Sequence, residues 1–301
     1  MSDRSYSFRK LIERSALLRE FKYRFMGPFH AMRYRKLSPE DQAKSLEAIQ
    51  AVLDCPDQKL IPRVAGAGKV KGGRQIMHNG VQVLAGSYYG HWIRTMLEQT
   101  GGVHEPQEER VFSEVMKFMP PKATMIELGA YWGFYSIWFH KLVAQPTCYL
   151  VEPMLSHMNY GKKNFQINSA KGHFTQAFVG GKSGTMENTP MICVDDFVAE
   201  HAIEHIDILH VDIQGAEVDM LHGAVRTLAR KAIDYIFLST HSNELHAGCK
   251  RFLEEHDFVI LASANIDESY ALDGVLVARR ADKPGLEPVA ISLKPAASKP
   301  A

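Results

Sequence analysis

From about residue 108 onward, short apolar runs alternate with stretches of helical periodicity. The runs at 124–128, 147–151, 173–179, 206–211, 235–240, 259–262 and 274–278 are four to seven residues long and mostly apolar, which predicts strands. Apolar residues at three- and four-residue spacing predict helices over 133–143, 155–168, 195–201, 217–231 and 244–256. A further helix over 108–119 leads into this region, and Pro120-Pro121 stops it. Strands that are apolar on both faces and alternate with helices belong to a parallel sheet covered on both sides. The last two runs lie close together, so a terminal hairpin is expected to close the sheet. The expected class is α/β, a Rossmann-like seven-stranded doubly wound sheet with helices on both faces.

The first hundred residues follow another pattern. Residues 1–36 hold ten Lys/Arg against three acids, with aromatic residues interleaved, and 7–25 reads as an amphipathic helix. Such a segment suits peripheral contact with a membrane surface or a polyanion. The plainer alternative is a helix that packs its aromatic face on the domain. Ser38-Pro39-Glu40-Asp41 is a helix start, and that helix should run to about residue 53. Asn79-Gly80 between two alternating segments, 74–78 and 81–85, predicts a β-hairpin. Residues 1–103 are therefore expected to form an accessory region and 104–280 the main domain. Residues 281–301, rich in Pro, Ala and Lys, are expected to form a disordered tail.

Composition narrows the partners. The net charge is +1 with 23% charged residues, which gives no global bias toward nucleic acid. No run of 18 apolar residues occurs, and no apolar leader core is seen near the N-terminus. The four cysteines are far apart and none forms a Cys-x-x-Cys pair, so no zinc or disulfide framework is indicated. A cytoplasmic protein, peripheral at the inner face of the membrane if residues 1–36 bind there, is the expectation.

The chemistry is concentrated at strand ends, where ligands bind in such sheets. The run at 124–128 ends in Glu127-Leu128, and Gly129 and Gly133 follow four residues apart, enclosing Ala130 and Tyr131. Glycines there let a strand turn sharply into a helix while the backbone approaches a ligand. The spacing is Glu-x-Gly-x-x-x-Gly, whereas a dinucleotide fingerprint needs Gly-x-Gly-x-x-Gly. Without that pair for a pyrophosphate, the turn suits a cofactor with no phosphate chain, and S-adenosylmethionine (SAM) is expected. Glu152 ends the next strand, where a carboxylate can accept from both hydroxyls of a ribose. The bland alternative is that the glycines only permit tight packing and that Glu152 is a surface acid.

Asp212 ends the run at 206–211, and Glu217 opens a helix after Gly215. Both could face the crevice, although an acid in a first helical turn is also favoured by the helix dipole. His241 ends the run at 235–240, and its ordinary pKa of about 6.5 suits a general base. An Asp212/His241 pair has a second use, binding a divalent metal such as Mg2+ that would acidify a hydroxyl. His201-Ala-Ile-Glu204-His205 has a zinc-peptidase spacing, but it falls in a short link with no third ligand and is set aside.

Four stretches together resemble the FkbM family of SAM-dependent methyltransferases. They are His104-Glu-Pro106, Ile126-Glu-Leu-Gly-Ala-Tyr-Trp-Gly-Phe-Tyr-Ser136, Val194-Asp-Asp-Phe197, and Ile206-Asp-Ile-Leu-His-Val-Asp-Ile-Gln-Gly-Ala-Glu217 with Leu221-His-Gly223. The family typically shows Lys-x-Asp-x-Glu-Gly-x-Glu in the last stretch. Here His210 replaces the Lys and Gln214 the first Glu, so no role is carried to those positions. The resemblance covers about 104–279 and implies a class I methyltransferase fold. It implies that Glu127, Gly129, Ala130, Tyr131 and Gly133 hold the methionine end of SAM, Glu152 the ribose, and Gln176 or Ala177 the adenine. His104-Glu105-Pro106 would cover the cofactor, and Asp212 and His241 would face the acceptor. The implied activity is O-methylation of a hydroxyl, expected on a carbohydrate or glycoconjugate, with a small natural product or lipid as the alternative acceptor. His241 is expected as base, with Asp212 orienting it or the acceptor. A non-catalytic scaffold on the same fold is the other class. A nucleic-acid methyltransferase is disfavoured, because no Asn/Asp-Pro-Pro-aromatic motif follows 206–211.

Overall fold

The computed structural model describes residues 39–295. The basic aromatic segment 1–36 and the Ser38 cap lie outside the described residues. Helix α1 (Pro39–Asp54) comes first. An antiparallel sheet follows, with β1 (Val70–Lys71), β2 (Arg74–Ile76) and β3 (Gln82–Leu84) in that order. Asn79-Gly80 makes the expected turn between β2 and β3. Gly80 sits at φ 79° and the Asn79 side chain accepts from Val81 N at 3.0 Å. Helix α2 (His91–Thr100) is an addition to the expected elements. Its signals are short but present: Ile93, Met96 and Leu97 share one buried face, and Gly101 closes it in the left-handed conformation.

Helix α3 (Pro106–Val115) begins two residues earlier than expected, with Pro106 in its first turn, and ends in a 3-10 turn before Pro120. The alternation then runs β4 (Thr124–Leu128), α4 (Phe134–Leu142), β5 (Thr147–Val151), α5 (Leu155–Ile167) and β6 (His173–Thr175). After β7 (Phe178–Val179), β8 (Gly184–Met186) and β9 (Thr189–Ile192) come α6 (Val194–Glu200), β10 (Ile206–Val211), α7 (Glu217–His222) and α8 (Val225–Ala229). The chain closes with β11 (Ile233–Thr240), α9 (Asn243–Glu255), β12 (Phe258–Ala264) and β13 (Gly274–Arg280).

The main sheet has seven strands in the order β12-β13-β11-β10-β4-β5-β6. Its pairs are parallel except where β13 runs against β11 and β12. Strand β10 lies at the centre with β4 beside it, and the chain winds outward from β4 first through β5 and β6 and then, from β10, the other way. The fold is therefore a Rossmann-like doubly wound sheet with a terminal hairpin, as expected. The switch point lies between β4 and β10, so the ligand crevice opens above their carboxyl ends.

Alternation along the strands builds two cores. Met125, Ile208, Tyr235 and Phe237 face one side with α3 and α4. Ile126, Leu128, Leu209, Val211, Ile236 and Leu238 face the other with α6, α7 and α9. The period of two along each strand separates these sets. The first core continues into the accessory region through Val52, Met77, Val83 and Leu97.

Three expectations differ from the structure. The strand expected over 173–179 breaks after Thr175, and Phe178–Val179 instead joins a second sheet in the order β7-β9-β8. The helix expected over 217–231 is two short helices, α7 and α8. Gly223 between them packs so closely on Gly180 that an added Cβ would stand 2.7 Å from its carbonyl oxygen. Finally, residues 281–295 have no regular structure, yet they are fastened along the domain, unlike the expected disordered tail. Val289 N donates to Leu261 O at 2.7 Å, Ser292 N to Asp57 Oδ2 at 2.7 Å, and Gln107 Nε2 to Ser292 O at 2.6 Å. Among the described residues no helix is long and apolar enough to cross a membrane.

Candidate active site

Above β4, the Gly129–Gly133 turn is held from three sides. Gly129 has φ 79°, and a Cβ there would stand 1.8 Å from the Asp212 carbonyl oxygen. The turn after β4 and the end of β10 are thus in backbone contact, and only glycine permits it. Gly129 N and Ala130 N both donate to Val151 O, at 2.9 and 3.0 Å, which binds the turn to the end of β5. Glu127 is buried and accepts from Ser136 N at 3.1 Å, so it anchors the start of α4. Burial holds its carboxyl above the usual carboxylate range.

Glu152 ends β5 as expected. Its carboxylate accepts from Tyr131 N at 3.1 Å and from Met154 N at 2.8 Å. An ionised carboxylate has about four acceptor sites, so two remain for a ribose. Tyr131, at φ 36°, stacks on His157 with ring centroids 3.7 Å apart beside this carboxylate. Gln176 lies just past β6 and donates to Pro153 O at 3.1 Å, while Ala177 is fully buried in the second core.

The polar centre lies over β10 and β11. His241 Nδ1 pairs with Glu217 Oε1, and Glu217 has no solvent exposure. Gln214 Nε2 stands 2.8 Å from His241 Nε2. Asp212 Oδ1 and Asp273 Oδ1 stand 3.5 and 3.4 Å from the same nitrogen. The residue that orients the imidazole is therefore Glu217, and Asp212 lies on the other side of the ring. Of the two expected roles for Asp212, orienting His241 or orienting the acceptor, the geometry gives the first to Glu217. The reason is local: α7 starts immediately after the Gly215 turn and carries Glu217 beneath the ring, while Asp212 stays at the strand end. Among the described residues, Glu217 Oε2 has no hydrogen-bond partner.

Asp273, in the connection between β12 and β13, carried no signal in the sequence as a lone acid in a loop. The antiparallel register of β13 on β11, with Thr240 opposite Gly274, brings it beside His241. The acids raise one another. Burial, then the charges of Glu105 and Asp273, push the Asp212 carboxyl up to about 8, against the pull of His241. Burial pushes Asp273 up to about 6. Burial opposes a charge on His241, but the Glu217 hydrogen bond and the neighbouring carboxylates outweigh it and push the imidazole up to about 9. Asp212, His241 and Asp273 each offer a ligand atom within 4.8 Å of the others, so they have the composition of a divalent-cation site.

His104-Glu105 approaches from the start of α3. His104 is buried, with Nδ1 2.6 Å from Glu109 Oε1 and Nε2 3.1 Å from Glu105 Oε2. Burial opposes its charge, but these two carboxylates push it up to about 10. Glu105 also accepts from Tyr135 Oη at 2.8 Å. At position 210, the imidazole bonds Glu108 at 2.7 Å through Nε2, and Glu108 in turn accepts from Ser239 at 3.2 Å. His201 and His205 do not converge. His201 Nδ1 bonds Phe197 O at 3.0 Å, and His205 pairs with Asp234 at 3.0 Å.

Beside His241 a cavity of about 250 Å3 opens toward the accessory region. Glu105, Gln214, His241 and Asp273 line it together with residues of α1 and α2.

With this geometry in place, residues 149–260 match the model of the methyltransferase FkbM domain. The matched span runs from β5 into β12, and it includes Glu152, Asp212, Glu217 and His241 but neither the Gly129–Gly133 turn nor Asp273. No curated protein matches the chain. Among solved structures, it is similar to methyltransferase FkbM from Methylobacillus flagellatus KT, with 14% identity and a TM-score of 0.44. The match covers 54% of this chain and 44% of that one, so the chain spans less than half of that protein. It is also similar to precorrin-6y C5,15-methyltransferase from Geobacter metallireducens GS-15, with 13% identity, 57% and 88% coverage, and a TM-score of 0.41. A third is TrmK of M. capricolum in complex with S-adenosylhomocysteine, with 12% identity, 56% and 67% coverage, and a TM-score of 0.38.

Proposed function

We propose that the protein is a SAM-dependent O-methyltransferase acting on a hydroxyl. The observation that carries this reading is the Glu217–His241 pair at the carboxyl end of β11, beside a cavity and next to the glycine turn. The residues present suit a cationic cofactor: Glu105, Asp212, Glu217 and Asp273 are gathered in one region, where burial first and the neighbouring carboxylates second raise Asp212 and Asp273. Glu152 would take the ribose with its free acceptor sites, and the Gly129–Gly133 turn the methionine end. SAM supplies an activated methyl on a sulfonium, and its displacement product is S-adenosylhomocysteine.

The protein's own task is to align the acceptor and remove its proton. With Nδ1–H donated to Glu217, His241 Nε2 presents a lone pair. Gln214 holds that lone pair in the free protein, and an acceptor hydroxyl takes its place. The hydroxyl proton passes to Nε2, and the imidazolium so formed is stabilised by Glu217, Asp212 and Asp273. Such a positioned base contributes typically about 10²–10⁴-fold, and alignment up to about 7–11 kcal/mol.

A carbohydrate or glycoconjugate acceptor is the reading implied by the family resemblance. A small natural product or lipid is the second reading, and the aliphatic wall of the cavity favours it. A membrane role for residues 1–36 lies outside the described residues and remains part of the proposal only through their charge pattern.

The test is calorimetric titration with S-adenosylhomocysteine on wild type and Glu152→Gln, then methyl transfer to a panel of hydroxyl compounds with and without Mg2+. Micromolar binding (about −8 kcal/mol) weakened about tenfold in the variant supports the cofactor assignment. No binding by wild type would leave a scaffold on a methyltransferase fold. Activity that depends on Mg2+ would make Asp212, His241 and Asp273 metal ligands and displace His241 as base.

A further inference from the structure

We infer that the accessory region selects the acceptor, through an apolar wall on α1 and α2 that admits a compact apolar body carrying one hydroxyl. This inference rests on the O-methyltransferase reading of the His241 site.

The cavity is lined by two unlike sets of residues. One set comes from the sheet domain and includes Gln214, His241 and Asp273. The other comes from residues before the sheet domain. Ala48 and Val52, four apart on α1, and Ile93 and Met96, three apart on α2, present aliphatic side chains to the space. None of these four offers a polar side-chain atom. Leu272 closes the cavity from the β12–β13 connection, and it is 57% exposed. A single hydroxyl beside His241 would find acceptors and a base. Hydroxyls spread around a sugar ring would find none on the aliphatic side, and a buried hydroxyl without a partner is costly. The volume, about 250 Å3, lies just under the about 300–1,000 Å3 usual for drug-sized ligands, so the body is small.

The wall is also tied to the glycine turn. Tyr88 stacks on Trp132 with ring centroids 4.5 Å apart and an interplanar angle of 6°. Tyr89 N donates to Tyr131 Oη at 3.3 Å, from a backbone at φ 42° that a tyrosine rarely adopts. Tyr88, Tyr89 and Trp92 also line the cavity. A strained, half-exposed aromatic at the junction of two parts of a site is a feature of ligand clamps. The turn residues and Glu152 do not line the cavity, so the aliphatic wall can be changed by mutation without touching that part of the cofactor site.

The test uses the full chain saturated with S-adenosylhomocysteine. Decahydro-2-naphthol and methyl β-glucopyranoside are titrated against wild type, Ala48→Trp and Leu272→Trp. The expected result is a Kd for decahydro-2-naphthol at least tenfold below that for the glucoside. Each tryptophan, by filling the space, should raise that Kd at least tenfold while S-adenosylhomocysteine affinity and Tm stay unchanged. Leu272→Trp stands at an exposed position of the β12–β13 connection, so it tests occupancy of the cavity even if Ala48→Trp, which tests the α1 wall, fails to fold. Equal or tighter binding of the glucoside, or decahydro-2-naphthol binding unaffected by Leu272→Trp, overturns the inference and leaves the methyltransferase reading standing. Failure of wild type to bind S-adenosylhomocysteine instead removes that reading, and this inference with it.

Discussion

His241 Nδ1 lies against Oε1 of Glu217, a carboxylate with no solvent exposure whose second oxygen has no partner among the described residues. A buried carboxylate needs a compensating charge or hydrogen bonds. Here the imidazole supplies both, and in return the carboxylate sets which ring nitrogen keeps its proton. The pair is therefore a structural necessity and a chemical device at once.

Removing the base should separate chemistry from binding. His241→Asn is expected to lower kcat by about 10²–10⁴-fold while S-adenosylhomocysteine affinity, read by calorimetry, stays within twofold of wild type (roughly 0.4 kcal/mol). Glu217→Gln leaves His241 in place without its counter-charge and should lower kcat by a similar factor. If both variants keep wild-type kcat, His241 is not the base.

The pH profile should carry the signature of this site. His241 is pushed up to about 9 and acts in its neutral form. The logarithm of kcat/KM is thus expected to rise with unit slope from neutral pH and to level near pH 9. In Glu217→Gln the carboxylate that stabilises the imidazolium is gone, so the inflection moves to lower pH. A flat profile from pH 6 to 10 would exclude a titrating base in this window.

Gly129 and Gly215 provide a steric control. Both have positive φ, but a Cβ at Gly129 meets the Asp212 carbonyl at 1.8 Å, whereas none of the surrounding atoms lies within 4 Å of one at Gly215. Gly129→Ala is expected to cost more than about 3 kcal/mol, and Gly215→Ala about 1–2 kcal/mol. Denaturant melts of the two variants measure the difference. Equal costs would mean that backbone conformation alone, and not the β4–β10 approach, demands glycine at 129.

The His104–Glu109 pair predicts a stability window. The raised His104 pKa contributes stability that is fully present below the ordinary imidazole value of about 6.5 and is lost as pH rises toward about 10. The Glu109 carboxyl is held far below its ordinary value by His104 and His78, against burial. Its contribution is present above about 4.3 and is lost as pH falls below that value. The Tm difference between wild type and His104→Gln should be largest between about pH 4.3 and 6.5 and should shrink toward pH 10. A difference that grows with pH would reverse the assigned sign.

Much of the architecture was legible in local pattern. Strands β4, β5 and β10 stand at their expected residues, because an apolar run bounded by turn residues has few other ways to satisfy its backbone inside a protein. The Gly129–Gly133 turn and the Asn79-Gly80 hairpin were legible for a related reason: glycine and asparagine tolerate conformations that other residues resist. Helix α2 was missed despite its glycine cap, because ten residues give too few periods to stand out. The break between α7 and α8 was missed because helical spacing persists through Gly223, and only its approach to Gly180 interrupts it.

By itself, the sequence determined the alternating α/β order, the glycine turn, and the acids and histidine at the ends of β4, β5, β10 and β11. These follow from periodicity and from φ preferences, which act over a few residues. Only the tertiary structure decided that Glu217 and not Asp212 orients His241, that Asp273 joins them across the β11–β13 register, and that α1 and α2 wall the cavity. Those relationships join residues up to about two hundred positions apart, as Ala48 and His241 are. They arise from strand order and close packing, and no local preference encodes them.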